Sequence, residues 1–118
     1  MTTTFQDLTA EILAFRDARD WAQFHTPKNV AMAIAGEAGE LCELMQWKDD
    51  REVTEALRDP SFRERVAHEL ADLQILLLFA ATACEVELDA AVRAKMQLNA
   101  RRYPVDKARG TAKKYDEL

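Results

Sequence analysis

Glycine and proline are scarce in this chain, three of each in 118 residues, and cysteine occurs twice. So few turn formers leave room for few turns, which favours long helices over a sheet with many reversals. No stretch alternates apolar and polar residues in the manner of a half-buried strand. Cys42 and Cys84 each sit inside an apolar helical pattern, so they are expected as small buried hydrophobes and form neither a disulfide framework nor a CxxC zinc site. With His25 and His68 the sole histidines, a conventional three-ligand zinc centre has too few donors. No eighteen consecutive residues are apolar, and MTTTFQDLTAEIL lacks a basic segment followed by an apolar core and a cleavage site. The expectation is a cytoplasmic protein without a membrane partner.

What is present is ordinary for a globular protein: 48% hydrophobic and 31% charged residues, enough for one core in one domain spanning 1–118. The net charge of −5 argues against a general nucleic-acid binder, but the charge is uneven. Arg93 to Lys114 holds eight basic residues and one acid, leaving twenty of the twenty-one acids elsewhere. Residues 104–118 therefore read as a basic C-terminal arm, extended or mobile because it lacks periodic apolar positions and includes Gly110. Such an arm could face an acidic site elsewhere, although a solvated basic helix and tail has the same composition.

Four long helices follow from periodicity and caps. Phe5, Leu8, Ile12, Phe15 and Ala22 recur at helical spacing after a Thr4 cap, predicting a first helix of about twenty residues. Thr26-Pro27 opens a second, through about Trp47, with Met32, Ile34, Ala38, Leu41, Leu44 and Met45 as packing positions. KDDREVTEALRD is too charged for core and forms a connection with a short helical turn. Asp59-Pro60 starts a third helix to about residue 85, whose LQILLLFAATAC is apolar on every side. A helix apolar all round is buried all round, and 118 residues have little to cover it with, so self-association is expected. Asp89 caps a fourth helix that Tyr103-Pro104 ends near Arg102.

Two acid pairs stand out. Glu37 and Glu40 are three apart on the second helix, and Glu69 and Asp72 are three apart on the third, so each pair projects from one helical face. One ExxE on a charged helix is usually a solvated face. Two such pairs inside AMAIAGEAGELCELM and HELADLQILLLF are costly to desolvate without cations or protons. Four carboxylates without a sulfur or nitrogen ligand suit a hard divalent ion, Mg²⁺ or Mn²⁺. Glu43 is an additional candidate that serves equally well as a surface ion-pair partner. HELAD resembles the zinc-hydrolase HExxH, but its second histidine is Asp72, and the paired Glu-x-x-His motifs of di-iron bundles are absent. A divalent cation on a helical scaffold points to phosphate chemistry, with basic residues from 93 to 114 for the phosphates and Trp21, His25 and Trp47 as flat surfaces for a base. Each of these aromatics taken singly is more often core. A non-catalytic helical assembly module and a nucleotide-binding regulator without turnover are the competing readings.

The segments RDWAQFHTPKN, GEAGELCELMQW, HELAD and KMQLNARRYP with KARGTAKKY together resemble the MazG-like all-α nucleoside triphosphate pyrophosphohydrolases, within them the dCTP pyrophosphatase branch. The resemblance covers nearly the whole chain and implies an all-α, four-helix bundle-like fold assembled as a homotetramer, with pockets at subunit contacts. It implies cleavage of a nucleoside triphosphate to the monophosphate and pyrophosphate. By the same resemblance Glu37, Glu40, Glu69 and Asp72 hold Mg²⁺; for a water attacking the α-phosphorus, Glu37 or Glu40 is then the expected catalytic base. Trp21, His25, Lys28 and Trp47 match the base and sugar positions, Asn99, Arg102 and Tyr103 fall near the phosphates, and Arg109, Lys113 and Lys114 close over them. One departure is Leu76, where eukaryotic relatives of this branch carry tyrosine in DVLIYL and this chain reads DLQILL. It bears on base selection within a preference expected for dCTP or a 5-modified deoxycytidine triphosphate.

Overall fold

Caps and breakers written in the sequence set the helix ends. A computed structural model describes residues 4–118, and every regular element in it is helical: α1 (Phe5–Ala18), α2 (Pro27–Met45), α3 (Asp50–Ala56), α4 (Pro60–Ala83), α5 (Leu88–Arg102) and α6 (Val105–Ala108), with short 3₁₀ turns at Ala22–Phe24 and Tyr115–Glu117. These form two compact units, one ending at Glu85 and the other running from Val86 to Leu118.

In the first unit Thr4 and Asp7 cap α1 reciprocally, Asp7 N–H donating to Thr4 Oγ1 at 3.0 Å and Thr4 N–H to Asp7 Oδ2 at 3.3 Å. α1 stops at Ala18, short of the twenty residues that periodicity predicted, because Asp20 turns left-handed at φ 55° and Ala22 joins a separate 3₁₀ turn. Thr26 Oγ1 accepts from Asn29 N–H at 3.1 Å and Pro27 takes the first turn of α2, as expected. α2 ends at Met45, so Trp47 lies in the following turn and not in the helix. The charged connection contains α3, capped by Asp49. Asp59 Oδ1 accepts from Ser61 N–H at 3.1 Å to open α4, which runs 24 residues without glycine or internal proline.

α2 and α4 form the principal pairing, with α1 along α4. Their direction is antiparallel: His25 at the start of α2 meets Phe79 near the end of α4, while Lys48 beyond α2 lies 5.4 Å from the Phe62 ring near the start of α4. The core is small, comprising Val30, Phe62, Val66, Leu78 and Phe79, each contributing about 1.5–3 kcal/mol when removed from water. Met32, expected to pack, is 68% exposed, because the inward α2 stripe runs through Val30, Ile34, Leu41 and Leu44 instead. Leu70 and Leu77 of α4, and Phe5, Leu8 and Phe15 of α1, remain exposed within the chain. Cys42 and Cys84 are also exposed, contrary to the buried role expected, since on α2 the inward stripe passes through Leu41 and Leu44 on either side of Cys42, and Cys84 lies at the C-cap beyond the end of α4. By length and composition α4 would suffice to cross a membrane, but it carries Glu69 and Asp72 at mid-length.

In the second unit α5 begins at Leu88 with Glu87 in the cap position. Asp89, expected there, sits in the first turn and accepts from Ala90 N–H at 2.8 Å. The arm is more ordered than its composition indicated. α6 follows Pro104, Gly110 takes φ 74°, and the chain closes in the Tyr115–Glu117 turn.

Candidate active site

Antiparallel pairing of α2 and α4 brings the middle of one helix against the middle of the other, and the acids lie there. Glu37 and Glu40 leave one face of α2 and meet Glu69 of α4, with one oxygen of each within 4.8 Å of the others. Oε2 of Glu37 and Oε2 of Glu69 are buried and have no hydrogen-bond partner as carboxylates. Buried acceptors of this kind are costly unless a cation or proton satisfies them. A proton shared with Glu69 is the largest influence holding Glu37 above its ordinary pKa, followed by burial and by the negative charges of Asp72 and Glu69. Glu40 is raised as well, first by the charge of Glu37. Three converging carboxylates, two of them carrying a buried oxygen without a partner, form an oxygen-donor set fitted to a hard divalent cation.

Asp72, grouped with these acids from the sequence, is exposed and lies outside the tight triad, although its charge still reaches Glu37. Glu43 is outside it too, and its effect on Glu40 is the weakest of those acting there. His68 is exposed, with its Nε2 3.8 Å from Glu64 one turn earlier, as a helix-surface histidine should be.

The aromatic candidates divide. His25 lies at a ring-centroid distance of 4.4 Å from Phe79, tilted by 41°, with Nδ1 buried and unpartnered. Burial, then the charge of Arg16, lowers its pKa below the ordinary 6.5, so the imidazole is neutral at pH 7. Trp21 meets Phe15 edge-on at 5.8 Å and is 41% exposed. Phe79 follows Asp72 by seven residues and Glu69 by ten, which places this aromatic end about 10–15 Å along α4 from the acids. Trp47 stands at the opposite end of α2, roughly 28 Å of helix away, and is 86% exposed. One chain therefore does not unite Trp21, His25 and Trp47 in the pocket that their shared chemistry suggested. Lys28 is exposed in the first turn of α2.

Within the second unit, three expected phosphate residues gather on a tyrosine that sequence reasoning missed. The Arg102 guanidinium lies 4.6 Å and the Lys114 ammonium 5.9 Å from the centre of the Tyr115 ring, and Tyr103 meets that ring edge-on at 6.1 Å. The signal was the KKY ending, two cations beside an aromatic. Asn99 contributes its backbone carbonyl to Tyr103 N–H at 2.8 Å, while its side chain is exposed. Arg109 caps α6, and Lys113 N–H donates to Thr111 Oγ1 at 3.3 Å, so neither joins the tyrosine cluster.

Known proteins resemble this chain in sequence and in fold. The MazG-like family model matches residues 32–118, which include all four candidate metal acids and the basic arm but not Trp21 or His25. dCTP pyrophosphatase 1 from Bos taurus and from Homo sapiens are each 44% identical over 115 residues, covering 98% of this chain and 68% of the relative. This alignment extends over nearly the whole chain. A crystal structure of a pyrophosphatase from Archaeoglobus fulgidus superposes with a TM-score of 0.76 at 39% identity, covering 84% of this chain and 91% of the other. An acid triad across two antiparallel helices, an all-helical fold and a family match over most of the sequence converge: the chain belongs to the MazG-like family.

Proposed function

We propose that this protein is a nucleoside triphosphate pyrophosphohydrolase of the dCTP pyrophosphatase kind, converting a deoxynucleoside triphosphate to its monophosphate and pyrophosphate and thereby cleansing the nucleotide pool. The observation that carries the reading is the carboxylate triad Glu37, Glu40 and Glu69, in which Glu37 and Glu69 each keep a buried oxygen without a partner, in a chain 44% identical to dCTP pyrophosphatase 1. The ion is Mg²⁺, with Mn²⁺ as a substitute, held by the triad together with Asp72. When bound it supplies charge neutralisation for the triphosphate and lowers the pKa of water. Glu37 or Glu40 accepts the proton from the water that attacks the α-phosphorus. Arg102 and Lys114, with Asn99, Tyr103, Arg109 and Lys113, bear on the phosphates and stabilise charge developing on the departing pyrophosphate.

Trp21, His25 and Lys28 receive the base and sugar, a neutral imidazole suiting an uncharged ring. A cytosine-type base, plain or 5-modified, is the preferred substrate. Trp47 reaches a base only from another subunit, given its place at the far end of α2. That need, and the apolar residues of α1 and α4 left exposed in one chain, support a homotetramer. The whole chain then serves as one catalytic domain with 104–118 as its basic arm, in the cytoplasm, without nucleic-acid or membrane partners.

Incubation of purified protein with Mg²⁺ and a panel of dNTPs, including dUTP and 5-modified dCTP, tests this directly. The expected products are monophosphate and pyrophosphate, fastest from a deoxycytidine triphosphate. Release of orthophosphate would defeat the reaction proposed, and a profile dominated by dUTP would overturn the base preference.

A further inference from the structure

α1 ends on a built turn. Asp20 adopts φ 55° without being glycine, a conformation that aspartate tolerates better than most residues. Trp21 N–H donates to Arg16 C=O and Asp20 N–H to Asp17 C=O, both at 3.1 Å, the paired closure of a helix C-terminus that swings the following side chain back over the last turn. Gln23 Nε2 donates to Asp20 C=O at 3.0 Å and to Asp20 Oδ2 at 2.9 Å, securing the reversal from the far side. Arg19 Nη1 donates to Phe15 C=O at 2.8 Å, and its guanidinium carbon lies 3.5 Å from the centre of the Phe15 ring and 5.9 Å from that of Trp21. Phe15 in turn meets Trp21 at an interplanar angle of 71°. Trp21 is thus held by a backbone turn, a ring edge and a cation, while part of its own surface stays open to solvent.

We propose that Arg19 and Gln23 are positioning residues for substrate: they fix Trp21 with a free face onto which the nucleobase stacks, and so set affinity for the base without acting on the phosphates. The inference rests on the reading of Trp21 as a base contact. A plain helix stop needs neither the cation stacked on Phe15 nor the side-chain lock on Asp20. Preorganising a flat ring removes part of the ordering cost of binding, and each base stacked on an aromatic gains substantially from that contact.

The test measures steady-state kinetics with dCTP and Mg²⁺, together with inhibition by inorganic tripolyphosphate as a competitor without a base. For Arg19→Met and for Gln23→Ala, KM is expected to rise about two- to fivefold, the range of an exposed cation–ring contact, with kcat and the tripolyphosphate inhibition constant unchanged. Arg19→Lys, which keeps the charge but loses the planar stack, should fall between wild type and Arg19→Met. If Arg19→Met does not fold, Gln23→Ala carries the test alone. A KM unchanged in these variants while Trp21→Ala raises it would overturn the positioning role and leave Trp21 as a base contact. A KM unchanged in Trp21→Ala would sink the base-contact reading and the positioning role with it. Tripolyphosphate inhibition weakened in parallel with KM would also overturn the proposal, since a base-directed device has no bearing on a ligand lacking the base.

Discussion

The acids of the first unit and the bases of the second are charge clusters of opposite sign, and they are held in opposite ways. Glu37, Glu40 and Glu69 project from the middle of two packed helices, with two buried oxygens lacking any partner. Arg102 and Lys114 lie beside the ring of Tyr115, whose negative face satisfies part of their charge. The acid cluster therefore has no comfortable state without a cation or a proton, whereas the basic cluster has a resting place that an anionic ligand must compete with. Activity should therefore depend sharply on the acids and in a graded manner on the bases.

The largest effect should come from Glu37→Gln or Glu69→Gln. Loss of a metal-binding or proton-accepting carboxylate should lower kcat by roughly 10²–10⁴-fold. The same change removes mutual repulsion, so the metal-free variant should melt no lower than wild type while Mg²⁺-linked stabilisation disappears. Thermal scans with and without Mg²⁺ check both. Because Glu37 in the folded protein is held above its ordinary value of 4.5, the metal-free fold binds more protons there than the unfolded chain does. Its stability should accordingly fall as pH rises from about 4.5 through the folded value, a slope that Glu37→Gln removes. A variant that loses activity but keeps the full Mg²⁺ shift would take Glu37 out of the metal site.

The bases should respond more gently. Arg102→Ala should raise KM about tenfold, the scale of a charge-assisted hydrogen bond to phosphate, and flatten the dependence of KM on salt. Tyr115→Phe retains the ring and should change little, while Tyr115→Ala should raise KM about two- to fivefold by releasing the cations it seats. Tyr115→Ala matching wild type would mean that the ring is a resting place with no part in binding.

These contrasts also show what could be read from the residues. Three of the four long helices were legible at their starts because these are spelled out by Thr4, Thr26-Pro27 and Asp59-Pro60, whose side chains and ring act locally, whereas α5 opens at Leu88 with no side-chain cap to announce it. The ends were less so: α1 stops at Ala18 because of a left-handed aspartate that no glycine announced. The ExxE and ExxD spacings located the acids, since helical geometry alone puts each pair on one face. Asp72's place outside the tight triad depends on the rotation of α4 against α2, which spacing within a helix does not encode. The distance between Trp47 and His25 is likewise a product of the antiparallel pairing. Tyr115 escaped notice because its partners lie twelve to thirteen residues earlier as well as beside it, across a turn that composition read as unstructured.

His25 extends the comparison to a group that carries no charge at pH 7. Burial beside Phe79 and the nearby Arg16 charge lower its pKa, so below 6.5 the unfolded chain takes up a proton that the folded one resists. Its contribution is fully present above pH 6.5 and is lost as pH falls from 6.5 through the folded value. Urea unfolding from pH 7.5 down to 5 should show this decline in wild type and a shallower one in His25→Gln. Equal slopes in the two proteins would assign the decline to other groups.

The smallest effect is expected at the two glycines that flank the acids. A Cβ placed on Gly36 or Gly39 meets nothing within 4 Å among the described residues. Inside one chain, then, neither glycine serves packing, and each costs about 1 kcal/mol of helix propensity against alanine. Gly39→Ala should therefore raise the stability of the isolated chain by up to that amount, readable as a higher urea midpoint at unchanged slope. The measurement becomes informative about the proposed assembly when it is repeated at rising protein concentration, where the proposed tetramer would form. There a subunit or nucleotide lying against α2 would turn the same substitution from stabilising to neutral or harmful, and Gly39→Leu would sharpen the loss. A gain of equal size under both conditions would leave the α2 face around Glu40 open to solvent in the assembly as it is in the single chain.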